Sequence, residues 1–72
     1  MEIYRNLGGT SNVSSFDIGV DYIAVRFNRT ARVYRYSYGR AGQQHVENMK
    51  QLARQGSGLN SYINRQTKYL YD

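Results

Sequence analysis

The chain has 72 residues and no cysteine, and ten Lys or Arg against five Asp or Glu give a net charge of +5. This length suits one small domain, and the lack of cysteine excludes disulfides and thiolate zinc sites, so hydrophobic packing or self-association must stabilise the fold. No segment approaches the roughly 20 apolar residues of a membrane span, and the N-terminus lacks the apolar stretch of a signal peptide. We therefore expect a cytoplasmic protein with no membrane partner.

Residues 1–12 show no sustained hydrophobic period and contain the sequence GGTSN. Clusters of Gly, Ser, Thr and Asn are typical of loops. The sequence thus predicts a loosely ordered N-terminal arm over residues 1–12, with a short strand around residues 2–5 as an option. A single domain is expected over residues 13–72.

Three segments after the arm have the period of β-strands. VSSFDIGV at 13–20, YIAVRF at 22–27 and RVYRYSY at 32–38 each place apolar or aromatic residues at every second position. Such alternation indicates half-buried strands. Because short links join the three segments, we expect an antiparallel meander.

The register of the third strand depends on the NRTA loop that precedes it. An even loop places Ile23 opposite Tyr36 and turns both Tyr34 and Tyr36 toward the core. An odd loop with a bulge would reverse the strand and bury Val33 instead. We favour the even loop because the aligned tyrosines bury more apolar area than one valine. The residues that then face away from the core are Tyr22, Arg26, Val33, Arg35 and Ser37.

The hydrophobic period changes to that of a helix in AGQQHVENMKQLARQG. Val46, Met49 and Ala53 are spaced to share one helix face, and Gly56 is placed to end the helix in a left-handed cap. LNSYINRQTKYLYD then predicts a short second helix and an apolar tail that packs on the sheet. The order predicts an α+β fold, a three-stranded antiparallel sheet covered on one face by two C-terminal helices. The other sheet face is expected to be exposed to solvent.

Residues with catalytic or metal-binding chemistry are sparse. His45 is the only histidine and has no carboxylate one helical turn away. Asp17 and Asp21 would lie roughly 13 Å apart along a straight strand, too far for paired-carboxylate chemistry. The sequence therefore predicts no enzyme activity, no metal site and no cofactor.

Several short motifs, in their order along the chain, resemble the KTSC domain family. They are SSFDIGVDY, VRF, VYRY, LARQG, LN and YI, between residues 13 and 63. The positions that match the family pattern are Ser14, Ser15, Val20, Tyr22, Val25, Phe27, Tyr34, Tyr36, Ala53, Gly56, Asn60 and Ile63. This small domain occurs C-terminal to some lysyl-tRNA synthetases and as free-standing bacterial proteins. The resemblance implies a small α+β domain and, from the synthetase context, an RNA-binding role.

Arginines are concentrated around the third strand. Guanidinium groups make bidentate contacts to phosphate, and a tyrosine ring can stack on an unpaired base. We therefore predict an accessory module that binds RNA or another polyanion. The predicted nucleic-acid-binding residues are Arg26, Arg29, Arg32, Arg35, Arg40 and Tyr22.

A protein-interaction or self-assembling module without nucleic acid is the alternative. An edge strand, an apolar C-terminal YLY and an uncovered sheet face are features that pair with another protein or a second copy. Nucleic-acid binding predicts that Arg26, Arg32 and Arg35 share one exposed patch away from carboxylates. Protein binding predicts an exposed apolar stripe.

Overall fold

The sheet contains four antiparallel strands in a computed structural model that describes residues 1–72. The strands are β1 (Glu2–Ile3), β2 (Val13–Ile18), β3 (Tyr22–Phe27) and β4 (Val33–Ser37). Their spatial order is their order in the chain, because short links can only join antiparallel neighbours. The predicted α+β class and antiparallel meander are confirmed.

The predicted number of strands was wrong, since the sheet has four strands rather than three. The additional strand comes from the N-terminal arm, where Glu2 pairs with Phe16 and Ile3 with Ser15. Directly after it, Tyr4 is buried in the core. A two-residue strand is too short to show alternation, so its pairing depends on the strand beside it.

The arm also contacts the helical layer. The N–H of Leu7 donates to the carbonyl of Gly56 at 2.7 Å, and the Arg5 side chain donates to the carbonyl of Arg54. The hydroxyl of Tyr4 accepts the N–H of Leu59 at 3.3 Å. Residues 4–7 therefore connect the sheet edge to the helices.

The register between β3 and β4 is the one expected from an even loop. Val25 lies opposite Tyr34 and Ile23 opposite Tyr36. Tyr36 is only 1% exposed, and Tyr34 packs against the core from its edge. The alternative with Val33 in the core is excluded, because Val33 lies on the opposite, solvent-facing side of the sheet.

The helical layer contains a single turn α1 (Tyr38–Ala41), the main helix α2 (Gln43–Gln55) and a short α3 (Leu59–Tyr62) that continues into a π-helical turn, Ile63–Thr67. The two predicted helices thus correspond to α2 and to α3 with its π-helical turn, and α1 is additional. None of the helices combines the length and the apolar character needed to cross a lipid bilayer.

Two glycines with positive φ set the limits of α2. Gly42 (φ 99°) separates α2 from α1, and Gly56 (φ 81°) ends the helix with its N–H directed at the carbonyls of Leu52 and Ala53. The left-handed region is accessible to glycine at little cost. The cap predicted at Gly56 is confirmed.

The core lies between the inner sheet face and the helices. Its members come from both layers: Tyr4, Val13, Phe16, Ile23, Val25, Tyr36, Ala41, Val46, Met49, Ala53, Leu59 and Ile63. The C-terminal tail packs against the same side, with Tyr71 edge-on to Tyr34 at a ring separation of 4.9 Å. The Asp72 N–H donates to the carbonyl of Arg35 at 2.7 Å, which holds the tail along β4.

Candidate functional site

Three of the predicted site residues, Tyr22, Arg26 and Arg35, lie on the outer face of the sheet. They alternate with core-facing neighbours along β3 and β4. The guanidinium carbon of Arg35 lies 4.4 Å from the ring centroid of Tyr22, and its Nε lies 3.5 Å from the carboxylate of Asp72. Arg35 is therefore engaged within the protein, whereas Arg26 is exposed and has no ion pair.

Tyr22 has little freedom to change its position. A Cβ atom at Gly19 would lie only 1.9 Å from the Tyr22 ring, so the ring rests directly on the glycine backbone. The guanidinium of Arg35 also contacts the ring. Tyr22 is thus a packed outer-face residue, and part of the surface that a base would need is already occupied.

Arg29 and Arg32 lie at the end of the β3–β4 hairpin, which we call the loop end (residues 28–32). Arg29 adopts a left-handed conformation with φ 67°, and Thr30 Oγ1 accepts the N–H of Arg32 at 3.1 Å. The guanidinium carbon of Arg32 lies 4.8 Å from the ring centroid of Tyr34 and 5.5 Å from that of Tyr71. Both arginines are exposed, and neither forms an ion pair.

The prediction that Arg26, Arg32 and Arg35 share one exposed patch away from carboxylates was wrong. Strand alternation places Arg32 on the opposite side of the sheet from the other two, and Arg35 is paired with Asp72.

A pocket of about 360 Å³ opens beside the loop end. We call it the aromatic pocket, because five of its lining residues carry aromatic rings. Its lining residues are Asn12, Phe27, Asn28, Thr30, Tyr34, Tyr36, Ile63, Asn64, Lys68, Tyr69 and Tyr71. The lining includes one cation and no carboxylate. The pocket was not predicted from the sequence, because the tail that carries Tyr69 and Tyr71 meets the hairpin only in the folded chain.

The tyrosines of the aromatic pocket are close to one another. Tyr34 packs edge-on against Phe27 at 5.5 Å and against Tyr71 at 4.9 Å. Burial, with smaller contributions from the neighbouring phenols of Tyr34 and Tyr71, raises the pKa of Tyr36 to about 12. The hydroxyl of Tyr36 is therefore protonated, and available as a hydrogen-bond donor, throughout the neutral pH range.

The opposite end of the sheet, which we call the turn end (the 19–21 turn and the start of α1), contains a closed polar network. The Tyr38 hydroxyl donates to Glu47 at 2.5 Å, and Lys50 Nζ lies 2.8 Å from the same carboxylate. Lys50 also donates to the Val20 carbonyl at 2.9 Å. The Lys50 hydrogen bond lowers the pKa of Glu47, and the hydrogen bond to Glu47 raises the pKa of Tyr38. Arg40 lies in α1 at this end, so the structure does not bring it together with Arg29.

His45 joins two helices. Its Nδ1 lies 2.7 Å from the hydroxyl of Tyr62, which also accepts a hydrogen bond from the Asn48 amide at 3.2 Å. These contacts connect α2 to α3 and give His45 a structural partner. No three His, Asp or Glu side chains lie close enough together to hold a metal ion.

The chain matches no protein-family model, no curated protein and no solved structure. The resemblance to the KTSC domain therefore stays a prediction from the sequence motifs. Tyr34 and Tyr36, two of the residues that carry this resemblance, both line the aromatic pocket.

Proposed function

We propose that this protein is a small accessory module that binds single-stranded nucleic acid, with RNA as the expected ligand. The observation that carries the proposal is a set of three exposed arginines, two at the loop end and one, Arg26, in the adjoining part of β3. Arg26 lies on the outer sheet face, Arg29 in the loop, and Arg32 directly before β4, with its guanidinium on the core-facing side of the sheet. All three are exposed and none forms an ion pair.

Free guanidinium groups at one end of a hairpin are suited to a phosphate backbone. Each one can make two parallel hydrogen bonds to a phosphate, and an arginine that has no internal carboxylate partner loses nothing when it does so. Each phosphate contact also releases condensed counterions, which favours binding at low salt. Arg26, Arg29 and Arg32 therefore form the proposed phosphate-binding set.

No carboxylate forms an ion pair with this set, although Asp17 lies on the same outer sheet face as Arg26. Glu47 is bound to Lys50, and Asp72 interacts with Arg35 and with the Ser37 hydroxyl. The loop end thus keeps its positive charge, while Lys50 at the turn end and Arg35 on β4 are partly neutralised; Arg40 at the turn end is exposed and has no ion pair. An anionic strand would be attracted to the loop end first.

Recognition of a single strand, rather than a duplex, is supported by the aromatic residues beside the arginines. Proteins that bind RNA sequences mostly contact unpaired bases, which stack on aromatic side chains or guanidinium planes. The resemblance to a domain found beside lysyl-tRNA synthetases favours RNA over DNA by association.

The test compares two double variants that remove equal charge from different places. Arg29→Gln with Arg32→Gln removes two loop-end arginines, and Arg54→Gln with Arg65→Gln removes two exposed arginines from the helical layer. Binding of a short single-stranded RNA is measured by amide NMR titration at several salt concentrations.

We expect shifts clustered around residues 26–34, and affinity that falls with salt. The loop-end double variant should reduce the slope of log affinity against log salt by about 1.4, at roughly 0.7 per phosphate contact. The helical double variant should retain most of the affinity. Equal losses in the two variants, or no shifts with RNA, would overturn the proposal.

The protein-interaction alternative has less support on the outer face. Ile3 is 78% exposed and Val33 is 45% exposed. The strand register places Ser15 and Arg26 between them. The exposed apolar residues are therefore divided by a charged side chain rather than joined into a stripe.

A further inference from the structure

We propose that the aromatic pocket holds one unstacked base of the bound strand, an inference that rests on the proposed function and assigns it a second contact. The loop end would bind the phosphates on either side of this nucleotide, and the pocket would bind its base. Arg29 is well placed for this because it lies between Asn28 and Thr30, which both line the pocket.

The size and surface of the pocket fit a planar aromatic ligand. Its volume of about 360 Å³ falls within the roughly 300–1,000 Å³ of small-ligand sites. Tyr36 is buried in the pocket wall, whereas Tyr69 is 72% exposed and lines the same pocket. Lys68 Nζ lies 5.5 Å from the centroid of the Tyr69 ring on one face. The other face of the Tyr69 ring is the stacking surface that we assign to the base, and its use requires no change in the core.

The polar groups of the pocket match the edges of a base. Asn12, Asn28 and Asn64 each bring a side-chain amide, which carries two donors and one acceptor. The asparagine amides that are hydrogen-bonded within the chain are those of Asn6 and Asn48. The three pocket amides are thus available to a ligand, as base edges with alternating donors and acceptors require.

The charge of the pocket separates a nucleotide from other ligands that aromatic residues bind. Clusters of aromatic rings also bind quaternary ammonium groups. Here Lys68 lines the pocket, no carboxylate does, and the Arg32 guanidinium already lies over the rings of Tyr34 and Tyr71. A cationic ligand would be repelled, whereas the phosphate of a nucleotide would be attracted.

The phenol of Tyr36 adds a further match. Burial raises the pKa of Tyr36 to about 12, so its hydroxyl is a potential hydrogen-bond donor at neutral pH. Carbonyl oxygens and ring nitrogens of bases accept such hydrogen bonds. The pocket therefore offers donors at its wall and both donors and acceptors through its amides.

The first experiment tests the pocket with nucleoside monophosphates, using ribose 5-phosphate as the matched ligand without a base. Side-chain amide signals of Asn12, Asn28 and Asn64 are followed by NMR. We expect these signals to shift with at least one of the four monophosphates and to respond much less to ribose 5-phosphate.

The second experiment measures binding of the same single-stranded RNA to Tyr69→Ala and Tyr69→Phe. Removal of the ring should weaken binding about 5- to 150-fold, the range that corresponds to one stacked base. The phenylalanine variant should bind within about twofold of the original protein, because it keeps the ring. The salt slope should stay unchanged in both variants, because neither removes a phosphate contact.

The outcomes separate the two proposals. One outcome is that RNA binds in a salt-dependent way, the asparagine amide signals do not shift with monophosphates, and Tyr69→Ala binds RNA as the original protein does. This outcome would overturn the proposal of a base in the pocket and leave the proposed nucleic-acid binding intact. Base-dependent shifts with monophosphates but no RNA binding would support the base pocket and overturn the proposed function. No amide shifts with monophosphates and no binding of RNA would overturn both proposals.

Discussion

The two ends of the β3–β4 hairpin both combine cations with tyrosines, yet they differ in what Lys50 on one side and Arg29 and Arg32 on the other contact, while Arg40 at the turn end has no ion pair. At the turn end, Lys50 is held by Glu47, and Tyr38 donates to the same carboxylate. At the loop end, Arg29 and Arg32 have no acidic partner. The comparison shows that the number of cations does not define a binding surface. A cation is available to a ligand only where the fold leaves it without an internal carboxylate.

Burial gives the two ends different roles as well. Lys50 is only 5% exposed, and a buried ammonium group is tolerated only when it is paired and hydrogen-bonded. The arginines of the loop end are exposed, so their charges remain hydrated. We therefore expect changes at the turn end to alter stability, and changes at the loop end to alter binding.

The largest effect is expected from Tyr36→Ala, which removes the buried ring shared by the core and the aromatic pocket. Loss of a large buried aromatic side chain should lower the free energy of unfolding by about 3–5 kcal/mol, which approaches the total stability of a domain this small. Urea unfolding measures this change. Tyr69→Ala is the control at the pocket rim, and a loss of similar size there would contradict the assignment of Tyr69 to the surface.

Alkaline pH should act on the pocket through Tyr36. The pKa of Tyr36 in the folded state is about 12, above its unfolded value. The contribution of protonated Tyr36 to the free energy of unfolding is therefore fully present below pH 10 and is lost as the pH rises from 10 to 12. At pH 11.5 this loss amounts to about 2 kcal/mol. In urea unfolding between pH 8 and 11.5, the free energy of unfolding of Tyr36→Phe should therefore decline less than that of the original protein. Parallel declines in the two proteins would place the alkaline sensitivity elsewhere.

Lys50→Met tests the closed network at the turn end. The variant keeps an unbranched apolar side chain but removes the donor to Glu47 and to the Val20 carbonyl. We expect the free energy of unfolding to fall by about 1–2 kcal/mol, with RNA affinity unchanged. Lys68→Met, at an exposed lysine, is the matched control for stability. A loss of RNA affinity in Lys50→Met would contradict the separation of the two ends.

The smallest effect is expected from Asp72→Asn, which frees Arg35 from its exposed carboxylate. Surface ion pairs contribute about 0–1 kcal/mol, so the free energy of unfolding should change little. RNA affinity at low salt should rise slightly, because one more guanidinium becomes available near the hairpin. If the rise matches the loss seen with Arg29→Gln and Arg32→Gln, phosphate binding is not confined to the loop end.

The local patterns of the sequence predicted much of the fold correctly. The alternation in residues 22–27 and 32–38 predicted two strands, and the even loop predicted Ile23 opposite Tyr36. The helical spacing in α2 and its end at Gly56 were also predictable. The two-residue β1 was predicted only as an option around residues 2–5, since a strand that short has no period to recognise.

The candidate site was predicted only in part. Arg29 and Arg32 were predicted as site residues, and the structure leaves both exposed without ion pairs. The sequence did not show that Arg35 would meet Asp72, which lies far along the chain. Nor did it show that Tyr69 would line the same pocket as Asn12.

The sequence by itself determined the strands, their alternation and the register of the central hairpin, because these depend on neighbours within a few residues. Only the tertiary structure decided which arginines are paired and where the aromatic pocket opens. Those features depend on the return of the C-terminal tail to the sheet, where Tyr71 meets Tyr34. The sequence predicted that an apolar tail packs on the sheet, but which residues meet across that separation follows from the packing of both layers around one core, and no local pattern encodes it.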